Sequence, residues 1–135
     1  MIHLANITKY AALITNDKGE VLFAHKRGKD IWINIGGRVE RGESPIECLQ
    51  RELREEIQCE IVTNPIPVEF LRTPPTPALD DSDKTVQIIW YKVKIIGELI
   101  PDNEIVEIKW VDITNIDIEL SPQIREYLLP KLLLS

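Results

Sequence analysis

No stretch of this 135-residue chain approaches the roughly 18 apolar residues that a membrane-crossing helix requires. The amino end, MIHLANITKY, lacks the basic start and long apolar core of a secretory signal. Positive charge is in deficit: 16 Lys and Arg stand against 22 Asp and Glu, a net charge of -6. Nucleic acids and anionic membranes both reward clustered Lys and Arg, so neither is an expected partner. Cysteine is scarce as well. Only Cys48 and Cys59 occur, and a helix running between them would hold them ~16 Å apart. A disulfide needs Cα atoms within about 7 Å. The thiols are therefore expected to stay free, as suits a reducing cytoplasm. Internal repeats and low-complexity tracts are absent too.

What remains is an ordinary globular composition, 44% hydrophobic and 28% charged. The length supports one buried core, and residues 1–135 are read as a single domain. TKYAALIT (8–15) and EVLFAH (20–25) read as strands joined by the turn NDKG. WINIGG follows as a short strand or loop ending in a glycine pair. CEIVT and PVEFLR read as further strands, and 72–84 as a long loop rich in proline and acid. KTVQIIWYKVKII (84–96) is the longest strand candidate. VEIKWVD (106–112) alternates, which predicts Val106, Ile108 and Trp110 on one face. SPQIREYLLPKLLL opens with a helix-start signal, and Pro130 is expected to end or kink that helix. Strands surrounding two helices predict an α/β domain with helices against a mixed sheet.

The segment GGRVERGESPIECLQRELREEIQ (36–58) carries the strongest local signal. Ser44 suits an N-cap, Pro45 the first helical position, and Glu47 the far side of a capping box. At 100° per residue Ile46, Leu49, Leu53 and Ile57 form one stripe. Glu52 and Glu56 sit one turn apart beside it, with Glu55 next to both. Like charges at that spacing cost a helix roughly 0.2–0.5 kcal/mol when nothing lies between them. A solvated acidic face tempered by Arg51 and Arg54 is one account. A site for Mg²⁺ or Mn²⁺ is the better one, because hard oxygens border an apolar stripe and glycines lie just upstream. Cys48 falls near the glutamates but reads as a small core or boundary residue. His3 and His25 are isolated, with no metal-ligand spacing between them.

Gly37, five residues, Glu43, seven residues, then Arg51-Glu52-Leu53-Arg54-Glu55-Glu56-Ile57-Gln58-Cys59 resembles the Nudix box. Trp32 before the glycine pair and the closing Ser-Pro helix are similar to the rest of a small, MutT-like Nudix domain. The resemblance implies an α/β/α sandwich and a Mg²⁺-dependent hydrolase, with Mn²⁺ as the alternative ion. Such an enzyme cuts a pyrophosphate bond in a nucleoside diphosphate linked to another group. It implies metal ligation by Glu52, Glu55, Glu56 and the Gly36 carbonyl. Glu52, Glu55 and Arg51 would carry the reaction, Arg51 by orienting the glutamates and pairing with Glu43. Arg27, Gly37 and Arg38 would meet substrate phosphates. Glu104 and Glu107 are further candidates for the general base. Gln58 departs from the family's glycine. Gln costs about 1–2 kcal/mol in the left-handed region, so a differently ended helix is expected.

A small-molecule nucleotide is the implied substrate, first among them a nucleoside triphosphate, oxidised or not. ADP-ribose or a nucleotide sugar is the alternative, and a nucleotide-sensing module without catalysis a third reading. The loop 72–84 and the strand carrying Trp90 and Tyr91 are expected to form a base-recognition wall, while Trp32 reads as packing. Homodimerisation is left open.

Overall fold

Strands β1 (Ile7–Leu13) and β2 (Val21–Lys26) bury both of their faces, and that divides the core in two. The computed structural model describes residues 6–78 and 83–135, so His3 lies outside the described residues. Beyond β2 come β3 (Trp32–Ile33), β4 (Gly36–Arg38) and helix α1 (Pro45–Ile57). Then follow β5 (Glu60–Ile61), β6 (Val68–Arg72), β7 (Thr76–Pro77) and β8 (Thr85–Lys92). The chain closes with β9 (Ile95–Ile96), β10 (Ile105–Val111), a π-turn (Ile124–Leu128) and α2 (Leu129–Leu134).

Strand alternation sorts the core. Ala12, Ile14, Leu22 and Ala24 pack with Leu49, Leu53 and Ile57 of α1 on one side. Ala11, Leu13, Val21 and Phe23 pack with Ile124 and Leu128 of the carboxyl-terminal helical segment on the other. Helix, sheet and helix therefore form three layers, the expected α/β/α sandwich. Because both faces are covered, these strands read as near-continuous apolar runs.

Asn16, Asp17, Lys18 and Gly19 turn as expected. Asn16 Oδ1 accepts the N–H groups of Lys18 and Glu20, at 3.0 and 2.9 Å. The two strands then diverge. One sheet runs β4-β1-β8-β6, with β7 also on β8, and the other runs β10-β2-β3. The β1–β8 pair is parallel, from Ile7 opposite Val86 to Leu13 opposite Lys92.

Three elements differ from the sequence reading. The 84–96 run is two strands, because Ile95 and Ile96 pair with β5, which the end of α1 delivers beside them. A register shift between Ile105 and Glu107 leaves Val106 42% exposed, while Ile108 and Trp110 pack inward. Pro130 does not end the helical segment, which runs on to Leu134. The wider turn before it closes with Leu129 N–H on the Ile124 carbonyl, and the proline falls in the first turn of α2, where a missing N–H is tolerated.

Helix α1 begins as predicted. Glu47 N–H donates to Ser44 Oγ at 3.1 Å, and Ser44 N–H donates to Glu47 Oε1 at 3.0 Å. Its end corrects the sequence reading: Gln58 does adopt the left-handed conformation, at φ 57° and ψ 36°. The reason lies in the bonds it permits. Gln58 N–H reaches the Arg54 carbonyl, and Cys59 N–H reaches back six residues to Leu53 at 3.3 Å. The Gln58 amide also donates to Asp102 Oδ2 at 3.0 Å. Leu49, Leu53 and Ile57 are fully buried, each contributing about 1.5–3 kcal/mol. That outweighs the repulsion between Glu52 and Glu56. Cys48 and Cys59 are buried and unpaired, and burial pushes the Cys48 thiol up to about 12. It is a packing residue.

Candidate functional site

The glycine pair of β4 is where the chain cannot carry side chains. A Cβ on Gly36 would stand 2.2 Å from the Tyr10 carbonyl oxygen, because β4 lies against β1 there. A Cβ on Gly37 would stand 2.4 Å from Glu52 Oε1. One glycine brings the strand in and the next makes room for the carboxylate. Gly36 N–H donates to Glu56 Oε1 at 3.0 Å, which ties α1 to β4.

Arg51 organises the acidic face. Its Nε and Nη2 grip Glu43 at 2.7 and 2.9 Å, Nη1 meets Glu52 Oε1 at 2.7 Å, and Nη2 also donates to the Arg38 carbonyl at 3.0 Å. A planar guanidinium with five donors suits this divergent set. The hydrogen bond from Arg51 holds the Glu43 carboxyl at about 2, well below its ordinary value.

Glu52 and Glu56 behave differently. Both are raised above the ordinary carboxylate range, chiefly by burial, and Glu56 reaches about 8. Glu56 is 7% exposed and feels its neighbour Glu52, with Lys26 as the nearby cation. The Glu55 side chain is 51% exposed and reaches Arg51 only at 3.6 Å. Among the described residues no three His, Cys, Asp or Glu side chains converge as a ready metal cage. The expected trio is thus buried Glu56 beside half-buried Glu52, with Glu55 exposed at the edge. One buried and one half-buried carboxylate side by side have the donor chemistry of a hard divalent cation site.

A cleft starts at Glu52. Its polar end is lined by Arg38, Glu40, Arg51, Glu52, Lys26 and Glu104. Across Lys9, Gly36, Gly37 and Arg38 it continues into a cavity of about 310 Å³ walled by Ile33, Val86, Ile88, Trp90 and Ile124, with Asn34 among the polar groups. Glu104 is exposed and 3.9 Å from Lys26. Arg27 is exposed and off both walls, since β2 ends at Lys26. Glu107 pairs opposite His25 on β10, also away from the cleft. Trp90 lines the cavity, whereas Tyr91 faces the opposite layer and meets Tyr10 edge-on at 5.9 Å. Of the long loop, Ala78 and Lys84 reach the cavity, and residues 79–82 lie outside the described residues. Trp32 is buried and stacks on His25 at 5.1 Å.

Lys9, Lys26 and Asn34 were not singled out from sequence. Lys26 neighbours Arg27, and strand alternation from the buried Ala24 puts it on the same side of β2. Asn34 offered one signal, a polar residue between apolar neighbours just before the glycine pair.

The family model described as NUDIX domain matches residues 7–132. An RNA pyrophosphohydrolase of Halorhodospira halophila is 49% identical over 45 residues, 33% of this chain and 25% of that protein. The chain thus matches about a quarter of that relative's length. Among solved structures, a UDP-X diphosphatase superimposes with a TM-score of 0.73 at 18% identity, covering 99% of this chain and 64% of the other. A MutT protein from Methanosarcina mazei Go1 gives a TM-score of 0.66 at 24% identity, covering 93% and 89%. These two likenesses speak for the fold.

Proposed function

The chain belongs to the Nudix family, and from that premise we propose that it hydrolyses a pyrophosphate bond in a nucleoside diphosphate linked to another group. The observation that carries this reading is the pairing of half-buried Glu52, on the cleft wall, with buried Glu56, tied to the glycine strand. Glu52, Glu56, Glu55 and the Gly36 carbonyl are assigned as ligands for Mg²⁺, or alternatively Mn²⁺. A bound ion would neutralise charge on the phosphate oxygens during the reaction. Glu55 joins by a side-chain rotation, since it is exposed at the edge of the pair.

The other roles belong to the chain itself. Arg51 is a positioning residue that fixes Glu43 and Glu52, the latter on the cleft wall. Arg38 and Lys26 bind substrate phosphates from the walls. Glu52 or Glu55 holds the attacking water, with Glu104 as the alternate base on the cleft wall; Glu107 and Arg27, both off the walls, are weaker assignments. The apolar cavity takes the nucleoside. A nucleoside triphosphate is the first substrate proposed, ADP-ribose or a nucleotide sugar the second. The structural likeness to a UDP-X diphosphatase keeps the second in place. A cytoplasmic setting suits the two unpaired thiols, and among the described residues no helix is long and apolar enough to cross a membrane.

The test is a panel of dNTPs, 8-oxo-dGTP, ADP-ribose, dinucleoside polyphosphates and nucleotide sugars with Mg²⁺, resolved by anion exchange. One product pair would name the bond cut. Tight nucleotide binding with no turnover across the panel would replace the hydrolase reading with a sensor.

A further inference from the structure

Asn34 lies between β3 and the glycine pair and lines the nucleoside cavity, with only 6% of its surface exposed. Its Oδ1 accepts the indole N–H of the buried Trp90 at 2.8 Å. An indole nitrogen donates and never accepts. The amide therefore cannot turn over: the oxygen is committed to Trp90, and Nδ2 with its two protons is held on the other side. That nitrogen is buried and has no hydrogen-bond partner among the described residues. A buried donor left unpaired is costly, and in native structures it is usually satisfied by protein, water or ligand. Val86, Ile88 and Ile124 supply apolar walls for a flat ring beside it.

We propose that Asn34 is a specificity determinant, donating to a ring carbonyl of the substrate's base so that the cavity selects a keto heterocycle over its amino counterpart. The inference rests on the nucleotide reading above and deepens it. A carbonyl oxygen offers lone pairs to the fixed donor. An exocyclic amine in the same place would set donor against donor, and the lock from Trp90 denies the amide the flip that would relieve it.

The test is direct binding without metal, in EDTA, by calorimetry at pH 8. The probes are dIMP against dAMP and dUMP against dCMP, pairs that exchange a ring carbonyl for an amine. The wild-type protein is expected to bind the keto member of at least one pair about tenfold more tightly, the worth of one good hydrogen-bond match. In Asn34→Asp the ionised carboxylate only accepts, so the preference reverses. In Trp90→Phe the amide is unlocked, and the ratio falls towards one while the donor remains. Equal wild-type affinities within both pairs, no binding of any probe, or variants that weaken both members alike would overturn the proposal. Reversal in Asn34→Asp together with an inactive substrate panel would leave this inference standing and remove the hydrolase reading. Turnover without any keto preference would do the opposite.

Discussion

Gly37 has no side chain because Glu52 occupies the place where one would go. A Cβ there lies 2.4 Å from the carboxylate oxygen, so Gly37→Ala must push Glu52 off Arg51. Misplacement on the order of 1 Å costs about 10²-fold in turnover, and that drop in kcat is expected with circular dichroism unchanged. A drop no larger than twofold would mean that the position of Glu52 is not critical. Glu43 makes a second prediction. Its carboxyl is held at about 2 against an ordinary 4.5, so the folded state binds its proton less readily than the unfolded chain. The contribution is present above pH 4.5 and is lost as pH falls towards about 2. Melting temperatures of wild type should decline through that window, while Glu43→Gln starts lower at neutral pH and lacks that part of the decline. The Glu43–Arg51–Glu52 contacts were legible because Arg51 and Glu52 are neighbours on one helix and the resemblance to the Nudix box pairs Arg51 with Glu43, just before its N-cap. Lys26 and Asn34 were not, since their roles depend on strands brought together from distant positions.

Helix α1 tests the arithmetic of local structure. Its start was legible because Ser44 and Glu47 satisfy free N–H groups and Pro45 removes another, all within four residues. Ser44→Ala should lower stability by about 1 kcal/mol in urea unfolding. Its end was misjudged from the conformational cost of Gln58 alone. The six-residue bond from Cys59 to Leu53 and the Gln58–Asp102 contact offset that cost. Gln58→Gly relieves the strain and gives up the side-chain bond, for a net gain of about 0.5–1 kcal/mol. A loss on that substitution would mean that the Asp102 contact outweighs the strain. At the other helix, Pro130 was expected to end or kink the helix, and the segment instead continues past it after the wider turn over Ile124–Leu128.

At the scale of the molecule, the three layers follow from β1 and β2 being apolar on both faces. That much could be read from composition along the strands. Which strands pair could not, because the parallel ladder joins Ile7 to Val86 across most of the chain. The net charge of -6 bears on substrate size, given a relative named RNA pyrophosphohydrolase. A surface without excess cations gains little from additional phosphates. A 5′-triphosphorylated RNA oligomer is therefore expected to be cleaved no faster, by kcat/KM, than the matching nucleoside triphosphate. A strong preference for the oligomer, weakening steeply with salt, would reverse that view. The central claim is that Glu52 and Glu56 hold the ion on which hydrolysis depends. The most direct measurement is turnover of the best panel substrate by wild type and Glu56→Gln, in Mg²⁺, after EDTA and after Mg²⁺ is restored. The account predicts a loss on the order of 10³-fold in the variant and in EDTA, with recovery on restoring Mg²⁺ in wild type alone. Undiminished turnover by Glu56→Gln, or by wild type in EDTA, would contradict it.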